Sequence, residues 1–530
     1  MIGEITQRTA TRTGANQEII AFERTAEGLT TRYRFLLIGG ICLVYLTVTL
    51  ELARRKLIWT DEFFTLYLSR LNPRDLWGAL LTGGDQHPPA FYLLHQLFLR
   101  SLGENPWALR LPAILGFLFM MLCVYQFVAK RTSVAYGLVG MLIPLATVAY
   151  EYAYEARGYS LLLCFLGLAV VSWQRAGDPG RRTGAVIGLA AGVTGGVLSH
   201  YYSVVLLPAI AVAEIVRSIQ RRSWKPALWL ALCVPVVPLI AFLRLIKSST
   251  GFAATFWGKG SLHEINLYYE NILGSAATCI LCCFAGAGLW RALTYRKRTS
   301  AAGRDKTFPV AEIVLAVALA AAPIIGYLFG KTATGVFVWR YAIGGVVGMA
   351  ILFGFGCFKI FRGSVIAGWL IAAVIATSFA ITARATMRTL ADRQASLHDL
   401  IAWLDTVATD REPLVIADSQ SFYALSYYSP PWLKARCIYL ADAARSLKYL
   451  GHDTPDRSLS ALAPWFGLNV NDYAGYLASH AEMKVWVPPN EKWSWLLPAL
   501  IDDGQKLTII GRNGTSILYS VAQVEAPVER

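Results

Sequence analysis

Trp107-Ala-Leu-Arg-Leu-Pro-Ala-Ile-Leu-Gly-Phe-Leu-Phe-Met-Met-Leu-Cys-Val-Tyr-Gln-Phe-Val-Ala129 is an apolar run long enough to cross a hydrocarbon core of ~30 Å as one helix. Similar runs are read at 35–52, 134–150, 159–173, 184–200, 202–216, 227–246, 271–290, 309–329, 341–358 and 364–382. About eleven spans are expected, making the chain a mostly α, polytopic membrane protein. Composition agrees: 55% of residues are apolar and 16% charged, against about 25% charged in a water-soluble chain, and mean hydropathy is +0.45. The shorter run 90–99 is expected as a helix lying at the membrane surface.

The net charge of +15 does not point to nucleic acid, because the basic residues sit in short loops beside apolar runs, where they face anionic lipid. Counted over alternate short loops, seventeen Lys and Arg fall on one side (Lys130 to Arg362) and five on the other (Arg157, Lys247, Lys259, Lys331 and Arg340). The positive-inside rule then makes the N-terminus cytoplasmic, and an odd number of spans puts the C-terminal region outside, with loop 53–106 on the same side. Residues 1–34 read as a cytoplasmic tail with no cleaved signal peptide, so targeting rests on the first span. Residues 35–382 read as the transmembrane domain and 383–530 as an extracytoplasmic α/β domain. In the latter a helix is expected over 396–409, with strands at 413–417, 437–440 and 483–487. A hairpin joins 507–510 to 516–521 through Gly511-Arg512-Asn513-Gly514. Of nine cysteines only Cys437 lies outside the apolar runs, and Cys279-Ile-Leu-Cys282-Cys283 lacks the second ligand pair of a metal site.

Charge within a membrane domain is costly and marks function. Here it gathers on the outer side: Trp59-Thr60-Asp61-Glu62; Asp85-Gln86-His87-Pro88-Pro89; Glu155-Ala156-Arg157-Gly158-Tyr159; His200-Tyr201-Tyr202; Lys331; and Trp339-Arg340-Tyr341. Each has a plainer reading. Asp61 and Glu62 are suited to the first turn of a helix, His87 to a proline turn, His200 to an interfacial anchor, Glu155 with Arg157 to a local ion pair, and Arg340 to an aromatic belt with a snorkelling cation. Together they suit group transfer at headgroup level, with a carboxylate as base and cations holding a leaving phosphate.

The order Trp59-x-Asp61-Glu62, Asp85-x-His87-Pro88-Pro89-x-x-Tyr92-Leu93-Leu94, then Ala108-Leu109-Arg110-Leu111-Pro112 resembles the GT-C membrane glycosyltransferases. It is most similar to the bacterial branch of the protein O-mannosyltransferase and aminoarabinose transferase superfamily, across residues 35–345. Tyr154-Glu155-Ala156-Arg157-Gly158-Tyr159 resembles that branch's second outer loop, with Tyr154 where Gln is common. His200-Tyr201-Tyr202 and Arg340-Tyr341 are similar to its later landmarks. The resemblance implies inverting transfer from a polyprenyl-phosphate sugar to a lipid, glycan or protein hydroxyl at the outer face of the cell membrane. It implies Asp61 as base with Glu62 beside it and Glu155 as a second site carboxylate. It also implies Arg157, Lys331 and Arg340 on the donor phosphate, and Asp85, His87, Tyr159, His200, Tyr201 and Tyr341 on substrate. Some relatives bind a metal and others do not, so a divalent ion stays open. A transporter or flippase of lipid-linked sugars is the alternative, for which charges along a central path are expected.

Overall fold

The computed structural model describes residues 18, 21–178, 180, 182–274, 307–408, 412–489 and 493–523. Among them, Arg34–Arg55, Pro106–Ala129, Gly158–Arg175, Tyr201–Arg221 and Val365–Val407 are five helices long and apolar enough to cross a membrane. Three bent pairs bring the number to eight if each is one span: Val134–Ala146 with Val148–Tyr154 at 79°, Pro226–Ala241 with Leu243–Thr250 at 66°, and Val310–Ala320 with Ala322–Thr334 at 53°. Arg182–Ser199 and the shorter Gly345–Ile360 are helices that match two further runs. The expected segment 271–290 lies mostly outside the described residues, as do Cys279, Cys282 and Cys283 and the basic residues between 291 and 306. Fewer continuous spans are seen than expected partly because prolines interrupt the ladder. Pro323 opens the second half of the third pair and lacks the N–H that would continue the helix before it, and Pro235 interrupts the ladder within Pro226–Ala241.

Loop 53–106 is itself helical. Thr60–Arg70, Pro73–Leu81 and Pro89–Leu102 follow one another, the last covering the expected surface segment. Two are started by side chains. Asn72 accepts the N–H groups of Arg74 and Asp75, both at 3.0 Å, and Pro88-Pro89 fixes the entry to the third. Asn105 does the same for Pro106–Ala129, accepting the Ala108 N–H at 2.9 Å.

The C-terminal region forms a six-stranded sheet, β1 (Leu414–Ile416), β2 (Cys437–Ala441), β3 (Val470–Asp472), β4 (Glu482–Val487), β5 (Lys506–Asn513) and β6 (Ser516–Ala522), in the order β3-β2-β1-β4-β6-β5. The first four strands are parallel, while β6 runs antiparallel to β4 and β5. Asp418, Asp442 and Asp472 each cap the helix that follows a parallel strand. The hairpin turn is tighter than expected, since β5 continues through Asn513 and Gly514 takes the positive φ of 57°. No expected strand matched β3, whose three residues are too few to show a period.

Val365–Val407 is one uninterrupted helix that runs through residue 383. The sheet region then folds back onto loop 53–106. Phe63, Phe64, Tyr67, Phe91 and Tyr92 share one buried apolar cluster with Phe422, Tyr423, Leu462 and Trp486. Phe63 stacks on Tyr423 at 5.4 Å, and Tyr428 accepts the Ile58 N–H at 2.8 Å. The loop and the C-terminal region therefore lie on one side of the bundle.

The join between loop and bundle is an ion pair. Glu62, fully buried, receives Arg110 Nε at 2.7 Å and Nη2 at 2.6 Å. The same guanidinium donates to the carbonyls of Ala53 at 2.6 Å, Lys56 at 2.7 Å and Leu57 at 3.1 Å. All five of its N–H groups are used. Removing one partner strands a buried charge, at a cost of about 3–5 kcal/mol. Arg110→Leu is expected to lower the melting temperature of the detergent-purified protein sharply. The Glu62→Leu/Arg110→Leu double variant should recover much of that loss, which thermal scanning of the three proteins checks.

Candidate active site

A turn of three residues carries the centre of the site. The short helix Val148–Tyr154 ends, Glu155-Ala156-Arg157 makes a tight turn in which the Arg157 N–H donates to the Glu155 carbonyl at 2.8 Å, and Gly158–Arg175 begins. Helix Thr60–Arg70 holds this turn by its backbone. Glu62 accepts the Ala156 N–H at 2.7 Å, and Thr65 Oγ1 donates to the Ala156 carbonyl at 2.7 Å. Arg157 Nη1 then reaches the Asp61 carbonyl at 2.9 Å and Asp85 Oδ2 at 3.3 Å.

Asp61 sits in the first turn of its helix and makes no capping bond. Its carboxylate lies 3.8 Å from Arg157 Nε and 4.0 Å from Arg340 Nη2, and its side chain keeps 25% exposure. Arg340 is held in turn by Tyr159, whose hydroxyl accepts its Nε–H at 2.9 Å, and by the Trp257 ring 5.1 Å away.

Asp85 is more enclosed. It accepts the Tyr92 hydroxyl at 2.8 Å and the Gln86 N–H at 2.7 Å, with His87 Nδ1 at 3.4 Å. Burial by itself would raise its pKa, but the Arg157 guanidinium and the His87 contact outweigh that and hold it well below the usual carboxylate range. For His87, burial followed by the charge of Arg157 lowers the pKa, against the pull of Asp85. A neutral ring with its proton on Nδ1 toward Asp85 leaves Nε2 as an acceptor, and that atom is buried with no hydrogen-bond partner among the described residues. Beyond it the His200 ring lies at 5.0 Å, itself 5.2 Å from Tyr159 and 5.3 Å from Tyr341.

Five separated segments thus bring Asp61, Asp85, His87, Arg157, Tyr159, His200, Arg340 and Tyr341 together. Other expected members fall elsewhere. Glu62 does not suit a catalytic role, since it has no exposed surface and both its oxygens are bound by Arg110 and Ala156. Glu155 is paired with Lys56, with the Tyr154 ring lying against that ammonium at 5.2 Å. Burial, set against the attraction of Lys56, raises the Glu155 pKa. The anticipated Glu155–Arg157 pair is replaced by Lys56–Glu155 and Arg157–Asp85. Lys331 is exposed and lies over the Tyr327 ring at 6.0 Å. Tyr201 is part-buried, and its neighbour Tyr202 is the one that packs on Tyr341, at 4.5 Å. Arg110 and Tyr92 lay inside the quoted motifs without an assigned role. Lys56 and Trp257 stood outside every motif, so no local signal marked them. A divalent ion does not fit this arrangement. The described residues gather no group of three His, Cys, Asp or Glu side chains able to hold one, and the two guanidiniums beside Asp61 take the place of a cation.

The family model for dolichyl-phosphate-mannose-protein mannosyltransferases matches residues 86–244. That stretch includes His87, Arg110, Glu155, Arg157 and His200, and excludes Asp61 and Arg340. The structure is similar to ArnT from Cupriavidus metallidurans in the apo state, with 14% identity, a TM-score of 0.58, and 93% of this chain and 98% of that chain covered. It is also similar to the same protein bound to undecaprenyl phosphate, with 13% identity, a TM-score of 0.56, and 92% and 97% covered. No curated protein matches by sequence. The chain has the GT-C fold that its motifs resemble.

Two expectations follow. A Cβ on Gly158 would stand 2.4 Å from the Ser199 carbonyl oxygen and 2.9 Å from His87 Cδ2. Gly158→Ala should therefore force apart the seam between His87 and Ser199, costing about 1–3 kcal/mol and lowering the melting temperature. For Asp85, a folded pKa below the unfolded value of about 3.9 means that its stabilisation is complete above that value and is lost as pH falls through the folded pKa. The melting-temperature gap between the protein and Asp85→Asn should stay level from pH 5 to 8 and narrow below about pH 4.

Proposed function

We propose that this chain transfers a sugar, with inversion, from a polyprenyl-phosphate donor to an acceptor hydroxyl at the outer face of the cytoplasmic membrane. The observation that carries this reading is Asp61, a partly exposed carboxylate with two guanidiniums within 4.0 Å. A donor phosphate arriving at Arg157 and Arg340 competes with Asp61 for their charge and frees the carboxylate as a base. The acceptor O–H gives its proton to Asp61 while its oxygen bonds to the anomeric carbon. The bond from that carbon to the phosphate oxygen breaks, and its electron pair leaves with the polyprenyl phosphate, stabilised by the two arginines. Neutral His87, with Nε2 open as an acceptor, suits a substrate hydroxyl. The fold likeness to ArnT solved bound to undecaprenyl phosphate supports the same lipid as donor carrier here.

The distribution of buried charge supports an enzyme over a transporter. Among the described residues before the C-terminal sheet region, buried Asp, Glu, Lys and Arg fall in two groups. Glu62, Arg110, Glu155 and Arg157 gather at one end of the bundle. Glu214, Arg217 and Glu312 gather at the other, where Arg131 binds Glu312 at 3.0 Å and Trp173 Nε1 donates to Glu214 at 2.9 Å. No path of charge links the groups through the described spans, as a transport route near the midplane requires.

Asp61→Asn keeps the shape of the side chain and removes the base. Transfer from a radiolabelled undecaprenyl-phosphate sugar in membranes should fall by about 10²–10⁴-fold, with membrane insertion and melting temperature unchanged. Full transfer in that variant would remove Asp61 from the mechanism. Arg340→Ala should weaken use of the donor, read as a raised KM for the lipid-linked sugar.

A further inference from the structure

Helix Thr60–Arg70 carries a second feature beyond its first turn. Its far end borders a cavity of about 560 Å³ between the outer loop and the C-terminal region, lined by Tyr67, Arg70, Tyr427, Lys434, Phe466 and Asn469. None of these belongs to the site around Asp61. The volume lies in the range of small-molecule sites, and the lining combines aromatic rings with polar and charged side chains, Glu104 among them. Tyr67 and Phe466 stack at 5.0 Å. The Lys434 ammonium lies 5.9 Å from the Tyr427 ring centroid and the Arg70 guanidinium 4.9 Å from the Tyr67 ring.

Such a lining offers ring faces to the C–H faces of a pyranose and donors to its hydroxyls. The charges refine the ligand. Arg70 is committed to Glu104, which its Nε reaches at 3.0 Å. Lys434 is exposed and has no carboxylate partner among the described residues. The cavity thus keeps one uncompensated positive charge, which favours a saccharide bearing an anionic group over a neutral one. Position ties it to the chemistry. Tyr67 follows Asp61 by six residues, about 9 Å along the helix axis.

We propose that this cavity binds an anionic saccharide, and that this saccharide is the part of the acceptor next to the reacting hydroxyl. The second half of the proposal rests on the transferase reading, while the first stands without it. A saccharide entering here contacts both the catalytic loop and the C-terminal region, which gives that region a part in acceptor choice.

The test uses the full chain in nanodiscs with trigalacturonate as the anionic probe and maltotriose as the neutral one, followed by saturation-transfer NMR and calorimetric titration. Trigalacturonate is expected to bind severalfold more tightly than maltotriose. Lys434→Glu, on an exposed side chain that folding does not need, is expected to weaken trigalacturonate at least tenfold and leave maltotriose unchanged, while Lys434→Arg retains binding. Tyr427→Leu is expected to weaken both. Absence of trigalacturonate binding, equal binding of the two sugars, or full binding in Lys434→Glu would overturn the proposal. Asp61→Asn should bind trigalacturonate as the parent does. If the probe binds but Asp61→Asn still transfers sugar, the transferase mechanism fails and the saccharide site stands.

Discussion

The carboxylate of Glu62 has no exposed surface, and four segments of chain meet on it and its partner Arg110. Through Arg110 it fixes the carbonyls that end the first span, at Ala53, Lys56 and Leu57. Through the Ala156 N–H it fixes the turn that presents Arg157. Desolvating two charges offsets most of their attraction, so the pair adds little net stability compared with an apolar pair of equal size. What it supplies is position. With Glu62 anchored, its neighbour Asp61, turned about 100° around the helix, faces Arg157 and Arg340.

Cation and carboxylate alternate outward from that anchor. Glu62 takes Arg110, Lys56 takes Glu155, Asp85 takes Arg157, and Asp61 is left between two arginines without a direct hydrogen bond from either guanidinium to its carboxylate oxygens. Pairs deep in the protein are closed, whereas the outermost carboxylate stays partly open. An arrangement of this kind is suited to exchange, because an incoming phosphate replaces Asp61 on the guanidiniums without exposing a new buried charge. The rings of Tyr159 and Tyr341 pack on His200, and Arg340 is held by the Tyr159 hydroxyl and the Trp257 ring.

Much of this was legible in the sequence. Apolar runs of spanning length located the helices, and the ordered motifs carried Asp61, Asp85, His87, Arg157, His200 and Arg340 to one place. The expected members that the structure places elsewhere share a physical origin. Asp61 and Glu62 are adjacent and chemically alike, and a helix turns successive side chains by about 100°, so one faces the cleft and the other the core. Sequence does not say which until the packing of Arg110 is known. Tyr201 belongs to the right segment, yet its neighbour Tyr202 packs on Tyr341 in its place, and Lys331 is exposed over the Tyr327 ring. Lys56 and Trp257 act only through contacts made across the fold, Lys56 to Glu155 ninety-nine residues away. The C-terminal strands showed themselves by β-branched runs, but their docking on loop 53–106 is a tertiary event that no local period encodes.

The central claim is that Arg157 and Arg340 receive the donor phosphate beside Asp61. A cryo-electron microscopy structure of the purified protein with undecaprenyl phosphate tests it most directly. The account predicts phosphate density within ion-pairing distance of both guanidiniums and next to the Asp61 carboxylate. Phosphate bound at Lys331, or anywhere out of reach of Arg157 and Arg340, would contradict it.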